Sequence, residues 1–190
     1  MRLKAVEDVL ATDPDNIKAN QTLGELIYDT LNSRHEGAVL PDNEAELEKR
    51  MVNAFNKAFA GKSDTIISQI FLSDHFSNKV QRVNDKRSQH AKSIASKAKP
   101  TPEDLKKRAD LDKELSDVFE QMRVPAEKAA DFYSKHGNLD AREKQNYKRM
   151  VSYLSDIFGN KKINAKGKPA DQAKYAAEEK KWNDLYDSIH

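Results

Sequence analysis

The sequence predicts an all-α fold built from antiparallel helices. Apolar residues recur at a spacing of three to four positions in one segment after another, which is the period of an amphipathic helix. The 190 residues include only six glycines and six prolines, and these fall mainly where the periodic segments stop. Charged residues make up 34% of the chain, against about 25% in a typical globular protein. Much of each helix must therefore face water, as in a thin layered array.

The first two helices are predicted on either side of a turn at residues 13–16, which read Asp-Pro-Asp-Asn. Residues 2–11 carry one apolar face, and the proline that follows suits the first turn of a new helix. A second apolar stripe runs from Ile17 to Leu31 and contains Gly24. A glycine inside a helix costs about 1 kcal/mol relative to alanine. Gly24 therefore predicts the close approach of a neighbouring helix.

Two further helices are predicted in the middle of the chain. After an irregular connection at residues 32–42, a helix is expected to start with Asn43 as its cap and to stop at Gly61. Ser63 can cap the next helix, whose apolar pattern continues to Ile94. The pattern fits either one helix of roughly 35 residues or two helices joined near residues 73–74.

The C-terminal half contains three clear helix boundaries. Thr101, followed by Pro102, predicts a capped helix start. Pro125 is expected to kink that helix or divide it from residues 126–136, because proline lacks the backbone N–H. Asp140 and Glu143 form a capping-box pair ahead of the next helix. A second irregular connection is expected at residues 159–169, before a final helix with an aromatic face: Tyr175, Trp182, Leu185, Tyr186 and Ile189.

The segment from Val6 through Tyr28 resembles the junction between two consecutive tetratricopeptide repeats. It shares the Asp-Pro-Asp-Asn turn, the Leu23-Gly24 pair and the aromatic residue four positions after the glycine. A small residue beside a leucine lets two helices pack closely, and an aromatic ring fills the next gap. The stretch from Ala126 to the C-terminus is also similar to the closing repeat and capping helix of bacterial proteins of this family.

The resemblance implies a right-handed array of stacked helix pairs that forms a single domain over residues 1–190. The repeats are expected to be irregular, because the connection at residues 32–42 is long for the family and the basic helix at residues 79–99 overruns an ordinary repeat. A weaker copy of the pattern occurs at Ile67-Ser68 with Phe71. The approximate units are 1–42, 43–100, 101–168 and a C-terminal capping helix at 169–190.

The resemblance also implies that the chain opens inside a repeat and is the C-terminal part of a longer protein. Likeness to repeat proteins of the bacterial envelope favours a periplasmic or surface location over the cytoplasm. The residues themselves contain no cysteine, which excludes disulfides and cysteine-based zinc sites. No apolar run approaches the roughly 18 residues needed to cross a bilayer, so the chain as given is expected to be soluble.

A binding surface is expected on the second helix. In a tetratricopeptide repeat the first helix of each pair lines a concave groove, so the resemblance implies that four residues here contact an extended peptide or another protein. The alternative is that they are ordinary solvated or core residues, and the tyrosine in particular suits interior packing. The four residues are Lys18, Gln21, Glu25 and Tyr28.

A basic patch is a second candidate site. Residues 75–100 contain seven lysines and arginines, opposed only by Asp85. Such a stripe can attract phosphate, but single-strand binders also need aromatic stacking platforms, which are almost absent there. Solvation or pairing with acids of neighbouring helices is therefore the favoured interpretation, and nucleic acid is not favoured as a partner. The patch consists of Lys79, Arg82, Lys86 and Arg87, followed by Lys92, Lys97 and Lys99.

No pattern indicates catalysis, a metal or a cofactor, and none is predicted. The histidines lack the i, i+4 spacing that lets two imidazoles share a metal. Glu178 and Glu179 are expected on a solvated helix face, where nothing would tune a catalytic acid. Gly167-Lys168 is followed by a proline in place of the serine or threonine of a phosphate loop. The five histidines are His35, His75, His90, His136 and His190.

The sequence thus predicts a binding scaffold without catalysis, in which helix pairs present a groove to a peptide or protein partner. Two alternatives stay open. One is a helical bundle that binds a ligand or acts as an enzyme, which a buried titratable cluster would favour. The other is a nucleic-acid-associated protein that uses the basic helix at residues 79–99, which a steep salt dependence of binding would favour.

Overall fold

A computed structural model describes residues 2–33, 39–61 and 66–190. Within these ranges the chain forms seven helices and no strand, which confirms the predicted all-α class. Over the same residues, none of the helices is long and apolar enough to cross a membrane. The helices are α1 (Arg2–Thr12), α2 (Ile17–Leu31), α3 (Glu44–Gly61), α4 (Ile67–Ala95), α5 (Pro102–Ser134), α6 (Ala141–Asn164) and α7 (Pro169–Ser188).

Local signals place most helix starts correctly, although Pro14 lies in the turn before α2 and not in its first helical turn. The Asn16 side chain accepts a hydrogen bond from the Ala19 N–H at 2.9 Å and caps α2. α3 begins directly after Asn43 and α4 is one continuous helix, which decides between the two interpretations left open. Ser63 and His35 lie outside the described residues.

Reciprocal capping boxes begin α5 and α6; the one at Asp140 and Glu143 was predicted, whereas at Thr101 only a capped helix start was. Thr101 and Asp104 exchange hydrogen bonds between side chain and backbone at 3.2 and 2.9 Å. Asp140 and Glu143 do the same at 2.8 Å. Hydrogen bonds from the Lys97 ammonium and from the Thr101 N–H lower the pKa of Asp104 to about 2. These bonds satisfy N–H groups that a helix start leaves without intrahelical partners.

The division of α5 that was one of the two outcomes expected at Pro125 does not occur, and the kink stays a prediction. α5 continues through Pro125, although an interior proline removes one hydrogen bond and costs about 3 kcal/mol. Pro125 and its neighbours Met122 and Ala126 are all buried, so packing on both sides holds the helix together.

The irregular connection expected at residues 159–169 shrinks to residues 165–168, because α6 runs on to Asn164. Lys161 pairs with Glu120 of α5 and Lys162 pairs with Glu179 of α7. These ion pairs fasten the last turns of α6 to both neighbouring helices. The final helix begins at Pro169, as predicted.

The chain divides into two compact units, Met1–His75 (unit 1) and Phe76–His190 (unit 2), with the division inside α4. In unit 1, α2 and α3 run antiparallel, since Lys57 of α3 lies beside Asp15 and Phe55 lies against Gly24. The single domain expected over residues 1–190 stays a prediction. The core of unit 1 is formed by Leu23, Ile27, Leu31, Met51, Ala54, Phe55 and Leu72.

Gly24 lies at a close contact between α2 and α3. A Cβ atom added at this position would lie 2.5 Å from the Cδ1 and Cε1 atoms of Phe55, whose side chain is 0% exposed. No larger residue fits without moving that ring. The close approach predicted from Gly24 is therefore confirmed.

Unit 2 is a series of antiparallel neighbours. The α4 residues Lys86 and Lys97 pair with Glu114 and Asp104 of α5, so residue numbers rise along one helix as they fall along the other. α5 and α6 are antiparallel as well, because Ser116 contacts Asn164 and Tyr133 contacts Asn146. α6 and α7 are antiparallel, because Lys162 contacts Glu179 and Ser155 contacts Asn183.

We expect Gly24→Ala to lower the free energy of unfolding by about 1–2 kcal/mol, measured by denaturant unfolding followed by circular dichroism. Overpacking a core costs about 1–3 kcal/mol, which outweighs the gain of about 1 kcal/mol in helix propensity. Gly159→Ala is the matched control, because its new Cβ would meet only the end of the long Glu179 side chain, at 3.0 Å, and no aromatic ring or backbone. A Gly24→Ala variant at least as stable as the parent would contradict the close approach.

Gln69→Met is expected to raise the free energy of unfolding by about 1–3 kcal/mol. The Gln69 side chain is 0% exposed, and neither atom of its amide has a hydrogen-bond partner in the part of the chain described. Methionine has a similar length and no polar group to desolvate. The exposed Gln81→Met is the control and should change stability by less than about 0.5 kcal/mol. Equal or lower stability of Gln69→Met would show that the amide is paired in solution.

Candidate binding surfaces

The four residues predicted to bind a partner lie along α2, and we call them the α2 surface. Lys18 is exposed, whereas Gln21, Glu25 and Tyr28 are half-buried. The Gln21 amide donates a hydrogen bond to the Glu25 carboxylate at 2.7 Å. The Ser68 hydroxyl of α4 donates a hydrogen bond to the side-chain amide oxygen (Oε1) of Gln21. Hydrogen bonds within α2 and to Ser68 thus position the side chains of Gln21 and Glu25, whereas the Lys18 side chain extends into solvent.

The aromatic end of the α2 surface is a pair of half-buried rings. The centroid of Tyr28 lies 4.7 Å from that of Phe71, at an interplanar angle of 53°. Phe71 in turn stacks on the buried Phe55, with centroids 5.7 Å apart. Ser68 and Phe71 were not predicted as site residues, although the weaker copy of the repeat pattern at these positions carried the signal.

α2 runs parallel to the first turns of α4 in unit 1. The contacts of Gln21 with Ser68 and Tyr28 with Phe71 advance along both helices in the same direction. α3 is antiparallel to α2, since Phe55 lies against Gly24 while Lys57 lies beside the preceding turn. The α2 surface therefore lies beside the contact between the parallel helices α2 and α4.

A buried titratable cluster lies elsewhere in unit 1. The His75 side chain is 0% exposed, and its Nε2 atom lies 2.9 Å from the carboxylate of Glu48. Its Nδ1 atom lies 3.1 Å from the side-chain nitrogen of Asn32, which also donates to the Tyr28 carbonyl at the end of α2. The cluster joins the ends of α2 and α3 to α4. It is enclosed by protein, so no solute reaches the imidazole in this conformation.

Unit 2 contains a groove of about 510 Å³ that the sequence did not reveal, and we call it the unit-2 groove. Its floor is apolar and includes the buried side chains of Leu115, Phe119 and Met122. Its polar lining comes from three helices: Asn84 of α4, Asp156 and Asn160 of α6, and Glu179 of α7.

The position of Glu179 differs from the one predicted from the sequence. It was predicted on a solvated face of the last helix, but its side chain is only 25% exposed and pairs with Lys162 of α6. The close neighbour that admits it is Gly159, where a Cβ would lie 3.0 Å from the Glu179 carboxylate. The helical spacing within α7 could not indicate this position, because the contact depends on where α6 runs.

Asp156 is the second carboxylate of the unit-2 groove. It lies at the exposed rim and takes part in no ion pair or side-chain hydrogen bond among the described residues. The surrounding protein removes part of its hydration, and the Glu179 carboxylate lies near it. Both effects disfavour the charged form and raise the pKa of Asp156 above its usual value.

The predicted basic patch lies on the unit-2 part of α4. Arg87 pairs with Asp112 at 2.5 Å and Lys86 with Glu114 at 3.6 Å, while Lys79 and Arg82 are half-buried. A second groove of about 550 Å³ between α4 and α5 is lined in part by the Arg87–Asp112 pair. Together with the pair of Lys97 and Asp104, these pairs compensate three of the seven positive charges of the patch, which disfavours a phosphate-binding stripe.

Comparison with known proteins does not assign a function to these surfaces. The chain matches no protein-family model, no curated protein and no solved structure. Among the described residues, no group of three or more histidine, aspartate or glutamate side chains is arranged to hold a metal ion. The resemblance to tetratricopeptide repeats accordingly stays a prediction, and function must be argued from the surfaces themselves.

Asp156→Asn is expected to stabilise the protein at pH 7 and to have little effect at pH 3. A raised pKa in the folded state means that ionisation of Asp156 opposes folding. The stability that the protonated Asp156 contributes to the folded state is complete below the unfolded-state pKa of about 4. It is lost as the pH rises through the pKa of Asp156 in the folded state. Denaturant unfolding at both pH values measures the difference.

Asp110→Asn is the matched control. Asp110 forms an exposed ion pair with Lys106 at 2.7 Å, so its removal should slightly lower stability at pH 7. If Asp156→Asn destabilised the protein at pH 7 as Asp110→Asn does, the Asp156 carboxylate would be favourably paired rather than isolated.

Proposed function

We propose that the chain is a protein- or peptide-binding scaffold of helical-repeat type, with its helices arranged in tetratricopeptide-like pairs. The α2 surface would receive an extended segment of the partner. The observation that carries this proposal is the combination of internal order and accessibility there. Gln21 and Tyr28 are positioned by Ser68 and Phe71, yet all four predicted residues keep part of their side chains open to solvent.

The course of the helices supports a repeat arrangement. In unit 1, consecutive helices α2 and α3 are antiparallel, and α2 and α4 are parallel. In unit 2, α4 and α6 are each antiparallel to α5 and therefore run parallel to each other. This alternation of helix directions within each unit is a feature that helical-repeat proteins share, and it therefore supports the proposal.

Binding would combine two kinds of contact. The Lys18 ammonium and the Glu25 carboxylate can pair with opposite charges or with backbone groups of an extended segment. The exposed edges of Tyr28 and Phe71 offer an apolar anchor point, and aromatic residues dominate the energetics of many interfaces. Because hydrogen bonds and ring contacts already position Glu25, Tyr28 and Phe71, these three side chains lose little further conformational entropy on binding.

The buried His75 cluster does not favour the enzyme alternative. A general base must come within hydrogen-bond reach of the substrate, whereas the imidazole is 0% exposed and hydrogen-bonded to Glu48 and Asn32. Its contacts hold three helices together. A structural role accounts for these observations without a reaction.

The test is partner capture from a lysate of the source organism, at low and high salt, with single substitutions in the α2 surface. We expect the parent chain to retain a discrete protein at high salt, and Glu25→Ala and Tyr28→Ala each to reduce its recovery about tenfold or more, as loss of a hot-spot contact does. Asp29→Ala is the matched control, because Asp29 is an exposed α2 residue beside Tyr28 but outside the surface.

Circular dichroism and denaturant unfolding of each variant separate loss of binding from loss of fold. Equal recovery by the parent chain and both surface variants would refute binding through the α2 surface. Recovery of nucleic acid alone, abolished by high salt, would instead favour the basic patch.

A further inference from the structure

We propose that the unit-2 groove binds a lysine or arginine side chain of a peptide segment, with Asp156 as the carboxylate that recognises it. The proposal concerns unit 2 alone. It does not depend on binding by the α2 surface.

Asp156 differs in its ion pairing from the other charged residues that line the unit-2 groove. Three charged residues line the groove, and two of them are already paired: Arg87 with Asp112 and Glu179 with Lys162. Among the lining residues that the structure describes, Asp156 is left uncompensated. A cationic ligand group is therefore the complement that the groove lacks.

The environment of the Asp156 carboxylate gives a thermodynamic reason for binding a cation. The carboxylate is partly desolvated and lies near Glu179, so ionisation in the free protein is disfavoured. A bound ammonium or guanidinium group would offset both effects. Hydrogen bonds between such a cation and a carboxylate are shorter and stronger than neutral ones.

The shape and floor of the unit-2 groove fit a long side chain with a charged end. Its volume of about 510 Å³ lies within the range of about 300–1,000 Å³ typical of ligand pockets. Leu115, Phe119 and Met122 form an apolar floor, and Ile163 at the edge is 69% exposed. Lysine and arginine bury their aliphatic stems on such surfaces while the charged head stays near water.

Two asparagines favour a peptide over a free ion. The side-chain oxygens of Asn84 and Asn160 accept hydrogen bonds from Arg87 and Asn164. Their amide nitrogens donate no hydrogen bond among the described residues and can donate to the carbonyls of an extended backbone. Calcium prefers six to eight oxygen ligands, whereas the groove offers one free carboxylate.

The test starts from a random-peptide phage library selected on the full-length chain. We expect selected peptides to share a lysine or arginine at one position. The tightest of them is then synthesised with that position as lysine or as norleucine, which keeps the apolar stem without the charge. Calorimetric titration of both peptides into the parent chain and into Asp156→Asn completes a double-mutant cycle.

We expect either change alone to weaken binding about ten- to a hundredfold, and both together to weaken it little further. Asp110→Asn should bind like the parent chain, and circular dichroism should show that every variant is folded. Glu25→Ala should also leave binding unchanged, which separates this groove from the α2 surface.

Three outcomes would overturn the proposal: peptides without a shared cation, affinity that Asp156→Asn leaves unchanged, and failure of the library to yield any binder. Loss of affinity in Glu25→Ala but not in Asp156→Asn would assign the peptide to the α2 surface and remove the unit-2 groove as its site.

Discussion

The close contact between Gly24 and Phe55 is the constraint on which unit 1 depends. It lets α2 lie directly against the Phe55 ring, and that ring stacks on Phe71 of α4. Phe71 in turn contacts the ring of Tyr28, a residue of α2 four positions after Gly24. The missing Cβ atom of Gly24 thus leaves room for a row of aromatic rings that connects three helices and ends at the half-buried Tyr28. The core packing of unit 1 and the proposed binding surface therefore depend on the same row of aromatic contacts.

In unit 2, ion pairs add to a buried apolar core. Ion pairs link α4 to α5 through Arg87 and α6 to α7 through Lys162. Exposed pairs of this kind contribute at most about 1 kcal/mol each, but together they fix how the polar faces of long helices are aligned. Because most of these charges have partners, the isolated carboxylate of Asp156 is informative. An uncompensated charge in a concave, partly apolar site is more readily explained by a ligand than by stability.

Tertiary packing overrides local signals at two positions in unit 2. Pro125 lies inside α5 because burial on both sides outweighs the lost hydrogen bond. Gly159 lies inside α6, where ion pairs to α5 and α7 hold the last turns of the helix. In both cases a residue that normally ends a helix is tolerated, and at Gly159 the small residue admits the Glu179 carboxylate.

The sequence by itself determined the helical class, most helix boundaries and the close approach at Gly24, because helix caps, apolar periodicity and steric size act over a few residues. It also placed Lys18, Gln21, Glu25 and Tyr28 along one helix. Only the tertiary structure decided that Ser68 and Phe71 join that surface, that His75 is enclosed, and that Asp156 and Glu179 meet in one groove. Those arrangements depend on contacts between residues far apart in the chain, which no local spacing encodes.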